Sequence, residues 1–594
     1  MEAVWSESKE PDSSTIKLGN GQVAVGIDLG TSNSCVSIWL EDQGRAKTIK
    51  CKKTALRTIP SVVWLDENGV IKAVGQDALD AWESAKSTTA PGTLLRGCKR
   101  FVGRRYADVD PKEVAALPYT VTHSSTDKDQ ILIGPVKSKD SSSRWMSSGP
   151  ITVSPEEVAA AILEYLCGIA QDYVAKGNAK VSHAVITVPA FFNERQRAAT
   201  KRAGELAGLK VLRILSEPMA AAMSYGLFVA GSKVVLVVDM GGGTLDVSLL
   251  RISNGKFEAI AIRGDNHLGG DDVDQLLMTY VCEKSGVSLI DLNPTDKLKL
   301  RSDCEQAKCN LSNNDHAWIT NDIETTRDKF EELTAPLAVR LSKVLVDIME
   351  DAEQAKVTVD EVVLVGLSTQ MPWVRRIVKK ETGIEELCVS VKADRAVSQG
   401  AAIQAAILSG ADSYRLSKVL MIDALPYTIG VESGSGKFIP VLNRNAKIPC
   451  VELRTFTTHS DFQRGITLDI FEGEEPVARD NRWVGCQNFP VTGGSKFRAG
   501  ELSLDVTFEV TMDGTLVIDA TTRAPGKESG QGKKNRNNKA DATIASEPHQ
   551  HNLAESEEDE ELGPDTLMLG AVLSLLVALF IALKIYFPPP VSTS

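Results

Sequence analysis

Val234–Leu250 reads VVLVVDMGGGTLDVSLL. An apolar run leads into Asp239, a Met-Gly-Gly-Gly-Thr turn follows, and from Asp246 the strand-like character resumes. Runs of β-branched and apolar residues favour strands, and glycines between them let backbone N–H groups come close to an anion. The stretch therefore predicts a hairpin that holds phosphate beside a carboxylate. Val23–Leu40, VAVGIDLGTSNSCVSIWL, repeats the order of strand, Asp-x-Gly turn and strand, so Asp28 and Asp239 fall at equivalent places in two halves.

Two such hairpins facing one cleft would surround it with two carboxylates and two Gly-rich turns. A carboxylate pair plus a polyphosphate is a usual way to hold Mg²⁺, which keeps most of its waters and takes few protein ligands. One Asp-x-Gly turn alone is also an ordinary tight hairpin; the repeat favours the paired site. No P-loop competes, because Gly434-Ser-Gly-Lys437 lacks the spacing and is followed by Phe438.

The 594 residues carry 66 Lys and Arg against 78 Asp and Glu, a formal net charge of −12. That balance argues against a general nucleic-acid binder. Ten cysteines fall without CxxC pairs and read as reduced, mostly buried thiols. Met1–Asn20 is polar and lacks the apolar core of a secretory signal. Leu567–Leu583, in contrast, is seventeen residues without a charge. It suffices for a slightly short membrane-spanning helix with Lys584 and Tyr586 at one interface. Only Pro588–Ser594 follow it, so insertion after translation is expected, with the bulk of the chain on the cytosolic face. The single Lys584 favours the endoplasmic reticulum over an outer mitochondrial or plastid membrane.

Besides the two hairpins, the chain contains in order Val185–Asn193 (VITVPAFFN), Arg213–Pro218 (RILSEP) and Gly264–Gly270 (GDNHLGG). With these motifs it resembles the seventy-kilodalton heat-shock chaperones, within the actin-like and sugar-kinase-like ATPase superfamily, from about Gln22 to Gly526. The resemblance implies an α/β, actin-like, two-lobed ATPase domain followed by a β-sandwich peptide-binding domain; the apolar run adds a single C-terminal transmembrane helix. The expected divisions are a polar tail over 1–21, the nucleotide-binding domain over 22–412, a linker over 413–423 and the sandwich over 424–526. A disordered tether over 527–565, the span over 566–587 and a short tail over 588–594 complete the chain.

Local signals agree with this division. Ser154-Pro-Glu-Glu157 opens a helix with a cap, an early Pro and acidic residues in its first turn. Asn193–Leu209 predicts another, with Glu194, Arg195, Arg197, Lys201 and Arg202 opposite an Ala-rich face. Thr122–Gly149 is polar and aperiodic, which predicts an exposed loop. Val419–Asp423 is a short apolar run ending in Asp; it matches the family's interdomain linker, with Ser417 where an acidic residue is usual. From Pro426 to about Asp519 short alternating strands predict a sandwich. Lys527–Asp565 is too polar to bury a core. The helical lid of the family is expected to be absent, with the span in its place.

The resemblance also implies roles. Asp28 and Asp239 would lie in the Mg²⁺ shell, and Gly30, Thr31, Ser32, Asn33 and Gly241, Gly242, Gly243, Thr244 on the phosphates of ATP. Lys99 matches the family's catalytic lysine and Glu217 its partner in placing water. Glu305, Lys308, Ser312, Gly366, Ser368 and Asp394 would hold the nucleoside, the ribose falling to Glu305 and Lys308. Cys309 and Gln370 stand where the family has arginines that stack on adenine, and Leu367 replaces a glycine. Losing two cation–π contacts at roughly 0.5–2 kcal/mol each would weaken ATP binding by about one to three decades. Phe456, Ile466 and Leu468 match the peptide pocket, although each also suits a sandwich core; Pro189, Leu420 and Asp423 match positions that couple the domains.

Two functions follow. The first is an ATPase that binds exposed apolar segments of unfolded proteins at a membrane, with J-domain proteins and a nucleotide exchange factor as partners implied by the resemblance. The alternative is a non-cycling binding module or co-chaperone that recruits clients or chaperones there.

Overall fold

A computed structural model describes residues 21–85, 92–135, 152–226, 231–388, 392–411, 416–490 and 497–523. The two diagnostic stretches both form antiparallel hairpins, Gln22–Asp28 with Asn33–Leu40 and Ser232–Met240 with Leu245–Ser253. Each lies at the heart of its own sheet. The first sheet runs Lys210–Ser216, Lys180–Val188, Gln22–Asp28, Asn33–Leu40, Arg45–Thr48. In the second, Ser232–Met240 pairs in parallel with Glu361–Val365 on one side, and the hairpin continues to Lys256–Asp265 on the other. Parallel neighbours buried on both faces explain why these strands read as unbroken apolar runs instead of alternating ones. Val235 to Val238 are fully buried.

Helices pack against the sheets, and one of them brings its first residue to the gap between them. Glu217–Gly226 follows directly from the strand Lys210–Ser216, so Glu217 begins the helix where that strand ends. Pro155–Val174 starts with a full capping box on Ser154 and Glu157, as the sequence predicts. Glu194–Leu206 is capped the same way by Asn193 and Gln196. Two expectations are corrected. Thr120–His123 and Ile131–Gly134 form a hairpin that runs into the stretch read as a loop, because Ile131 and Ile133 bury into the first lobe's core; residues 136–149 of that stretch lie outside the described residues. Arg197, assigned to a solvated face, is only 7% exposed.

Arg197 is buried because a second domain covers it. That domain is a sandwich of a four-stranded sheet (Phe438–Leu442, Ile429–Glu432, Gly465–Glu472, Arg482–Pro490) and a three-stranded sheet (Cys450–Thr457, Ser503–Val510, Leu516–Arg523). Between the domains, Leu420–Ala424 adds to the second sheet as a strand, Lys256 opposite Leu420 and Glu258 opposite Ile422, with Lys447–Ile448 of the sandwich beyond it. The apolar linker is therefore a paired strand, with Asp423 accepting a hydrogen bond from Ser216 Oγ at 2.8 Å. Arg197 donates to the carbonyls of Phe192 (3.0 Å) and Ala190 (3.2 Å), and Arg213 lies 3.9 Å from Asp513. Phe191 and Tyr427 meet edge to face at 5.0 Å between centroids, and Arg105 stacks on Trp483 at 4.6 Å. No described helix is long and apolar enough to cross a membrane; Leu567–Leu583 and the tether lie outside the described residues.

This docking carries a proton. Burial and the neighbouring Glu472 carboxylate push Glu194 up to about 7, against the relief Arg195 gives. Docking therefore takes up a proton between the ordinary glutamate value and about 7, is strongest on the acid side, and weakens as pH rises through that value. Trp483 fluorescence is expected to report weakening of docking between about pH 4.5 and about pH 7, and Glu194→Gln is expected to flatten the profile.

Candidate functional site

The gap between the two sheets is a cavity of about 350 Å³. Asp28 and Asp239 reach it from the two hairpins, with Gly30, Thr31, Ser32 and Asn33 from one turn and Gly241, Gly242 and Thr244 from the other. The turns touch. A Cβ at Gly242 would sit 2.0 Å from Ser32 Oγ, so only glycine permits the approach. Gly243 does not line the cavity; it packs against Thr31 and Arg100 behind it.

Lys99 enters from the short helix Cys98–Phe101, and its Nζ lies 2.7 Å from Glu217 Oε1, both side chains nearly buried. Around this pair the charge is unbalanced. Asp239 and Asp246 are buried with Glu217 and lie opposite each other across the hairpin, and Asp28 stands half-buried beside them. Burial first, then repulsion from Glu217, raises Asp28 and holds Asp239 far above the carboxylate range; the same causes push Asp246 up to about 7. Lys99 offsets the repulsion only in part. Asp246 Oδ2 is buried with no hydrogen-bond partner among the described residues. Such a cluster is relieved by a divalent cation, and these residues fit Mg²⁺. Asp246 was not singled out from the sequence as a site residue. Its place opposite Asp239, at the mirror position of the same hairpin, is the signal that marks it.

The opposite end of the cavity holds Glu305, Lys308, Ser312, Gly366, Ser368 and Asp394. Their partners are specific: Glu305 with Arg96 at 2.8 Å, Lys308 with Asp274 at 2.8 Å, and Ser368 Oγ donating to the Gly241 carbonyl at 2.7 Å. Ser368 thereby ties the two ends of the site together. Cys309, Leu367 and Gln370 line this end, and Leu367 is 53% exposed. An arginine is nonetheless near: Arg375 donates to Gln370 Oε1 and to the Thr369 carbonyl, standing behind the cavity wall instead of on it.

A two-hairpin cavity of this kind, joined by a linker strand to a sandwich, is matched along nearly the whole chain by the family model described as Hsp70 protein, over residues 24–564. The chain belongs to the Hsp70 family. The match extends past Gly526, where the motif-based resemblance ends. Chaperone protein DnaK of Deinococcus proteolyticus is 38% identical over 531 residues, covering 85% of this chain and 78% of that protein. Heat shock cognate 70 kDa protein 3 of Dictyostelium discoideum is 36% identical over 523 residues, covering 85% and 79%. Hsp70 membership accounts for the cavity, the linker strand and the sandwich together.

The remaining expected Hsp70 positions are distributed as follows. Pro189 ends the strand Lys180–Val188 and precedes Ala190 and Phe192, whose carbonyls Arg197 holds. Leu420 is 53% exposed at the start of the linker strand. Ile466 and Leu468 are 6% and 5% exposed and belong to the sandwich core with Val506 and Phe508. Phe456 is half-buried against that core, its ring 6.5 Å from that of Phe508.

Proposed function

We propose that this Hsp70-family chain is an ATP-hydrolysing chaperone whose nucleotide state sets its hold on apolar peptide segments. The reading rests above all on the buried Lys99–Glu217 pair, 2.7 Å apart at the carboxylate end of the cavity. When bound, Mg²⁺ would neutralise phosphate charge between Asp28 and Asp239. Thr31, Ser32 and the Gly241–Thr244 turn would bind the phosphates by backbone and hydroxyl donors. Glu217 holds the Lys99 ammonium in place, and its carboxylate is the acceptor that orients the attacking water; preorganised charge of this kind supplies most of the barrier reduction in phosphoryl transfer. The linker strand, hydrogen-bonded to the sheet that carries Asp239, supports transmission to the sandwich.

Partners of this activity are J-domain proteins and a nucleotide exchange factor. The test is peptide exchange: ATP is expected to speed dissociation of a fluorescent apolar peptide by about tenfold or more, a change of about 1.4 kcal/mol or more in the release barrier. Asp239→Asn should remove the acceleration. Equal rates with and without ATP would instead support the non-cycling binding module, the reading that Leu367 in the base end favours, since its side chain occupies ground a glycine would leave open.

The apolar run Leu567–Leu583 supports a chain held at the cytosolic face of a membrane, with the endoplasmic reticulum favoured by the weak basic flank. Removing residues 567–594 is expected to move the protein from the membrane to the soluble fraction. A truncated protein that still sediments with membranes would refute the anchor.

A further inference from the structure

Beyond Lys99 the structure holds a second cavity, of about 380 Å³. It shares Thr31, Lys99 and Thr244 with the nucleotide cavity, so the two meet at the phosphate end. Its walls are cationic. Arg100, Arg104 and Arg105 come from the segment after Lys99, Arg195 from the helix Glu194–Leu206 and Arg482 from the sandwich, against Asp108 as its one acidic lining residue. The carboxylates that pair with three of these stand behind the wall and do not line it: Asp272 for Arg100 (2.9 Å), Glu113 for Arg104 (3.2 Å) and Glu472 for Arg482. The guanidinium Nε atoms of Arg100 and Arg482 are buried with no hydrogen-bond partner among the described residues. A chamber lined by five arginines and Lys99 is matched by an oxyanion, which accepts from several guanidinium groups at once.

One side of the chamber is formed by the sandwich. Arg482 and Trp483 line it, and Arg105 stacks on the Trp483 ring. We propose that this chamber is a binding site for free inorganic phosphate, which holds the product cleaved from ATP until the sandwich moves away. The inference rests on the ATPase reading above and adds to it a product site shared by both domains. It makes docking of the sandwich a control on phosphate release, separate from the control exerted through the linker strand.

Two measurements on the full chain test it. In a single turnover, cleavage is followed by quenching and free phosphate by a fluorescent phosphate sensor. Release is expected to lag cleavage in the wild type, and Arg195→Ala and Trp483→Ala are expected to shorten the lag by about threefold or more with cleavage unchanged, while Arg195→Lys keeps it. Phosphate that appears as fast as it is cleaved in the wild type, or a lag that neither variant alters, would overturn the proposal. The second measurement does not need hydrolysis: inorganic phosphate is titrated into the ADP-loaded protein. Arg195→Glu is expected to weaken binding by about tenfold, the effect of one charge-assisted contact. Absence of turnover with retained, Arg195-dependent phosphate binding would defeat the ATPase reading and leave the site standing. Absence of phosphate binding would defeat the site.

Discussion

Lys99→Ala is expected to lower the single-turnover rate of ATP hydrolysis by about 10²–10³-fold, the usual consequence of removing one preorganised charge from a reacting phosphoryl group. The effect is confined to the chemical step. Lys99 Nζ is bound to Glu217 and lies 5.5 Å from the Phe192 ring centroid, so it supports no sheet or helix whose loss would unfold the lobe. Without its ammonium, Asp28 and Asp239 lose the lowering that Lys99 gives them and rise further. ATP affinity measured calorimetrically should fall far less than the rate, because the two turns and the base end remain. A variant that hydrolyses ATP at the wild-type rate would remove Lys99 from the mechanism.

Arg197→Ala releases the sandwich from the ATPase domain. The guanidinium is buried, holds two carbonyls of the Pro189–Phe192 segment, and is surrounded by the charges of Asp423, Asp513 and Glu472. Deleting one member of a buried charge network costs about 3–5 kcal/mol, which shifts the docking equilibrium by about two to four decades. Protease cleavage at the linker strand Leu420–Ala424 and Trp483 fluorescence both read the change. Gly514→Ala should act in the same direction without removing a charge. Its Cβ would stand 3.1 Å from Arg197 Cδ and Nε, and the residue has φ of +78°, a conformation that favours glycine. Full protection of the linker in Arg197→Ala would show that strand pairing alone holds the domains together.

The parts of the site that sequence reading recovers are those written as contiguous motifs. Asp28, Asp239 and the two Gly-rich turns each lie within a few residues of strand signals, so spacing alone places them, and the repeat pairs them across the cleft. Lys99 and Glu217 are legible only by resemblance, since 118 positions separate them and nothing local predicts their 2.7 Å contact. Arg197 was misplaced for a physical reason. On its helix it stands among Glu194, Arg195, Lys201 and Arg202, which makes a solvated face the natural reading; only the docked sandwich buries it. Asp246 is marked only by its place opposite Asp239 in the paired hairpin, a relation that no contiguous motif writes. Arg375 lies five residues beyond Gln370, and its link to that side chain depends on the turn between the short helix Leu367–Gln370 and the helix Pro372–Thr382.

The base end remains the decisive place, because Cys309, Leu367 and Gln370 line it while the carboxylates and Lys99 at the phosphate end are complete. Single-turnover hydrolysis of ATP by the full chain, with Asp239→Asn as control and with Mg²⁺-dependent ATP affinity measured in parallel, tests the account most directly. It predicts saturable ATP binding that requires Mg²⁺ and turnover that Asp239→Asn abolishes. Absence of both binding and turnover in the wild type would contradict it and make the chain an Hsp70-fold binding module.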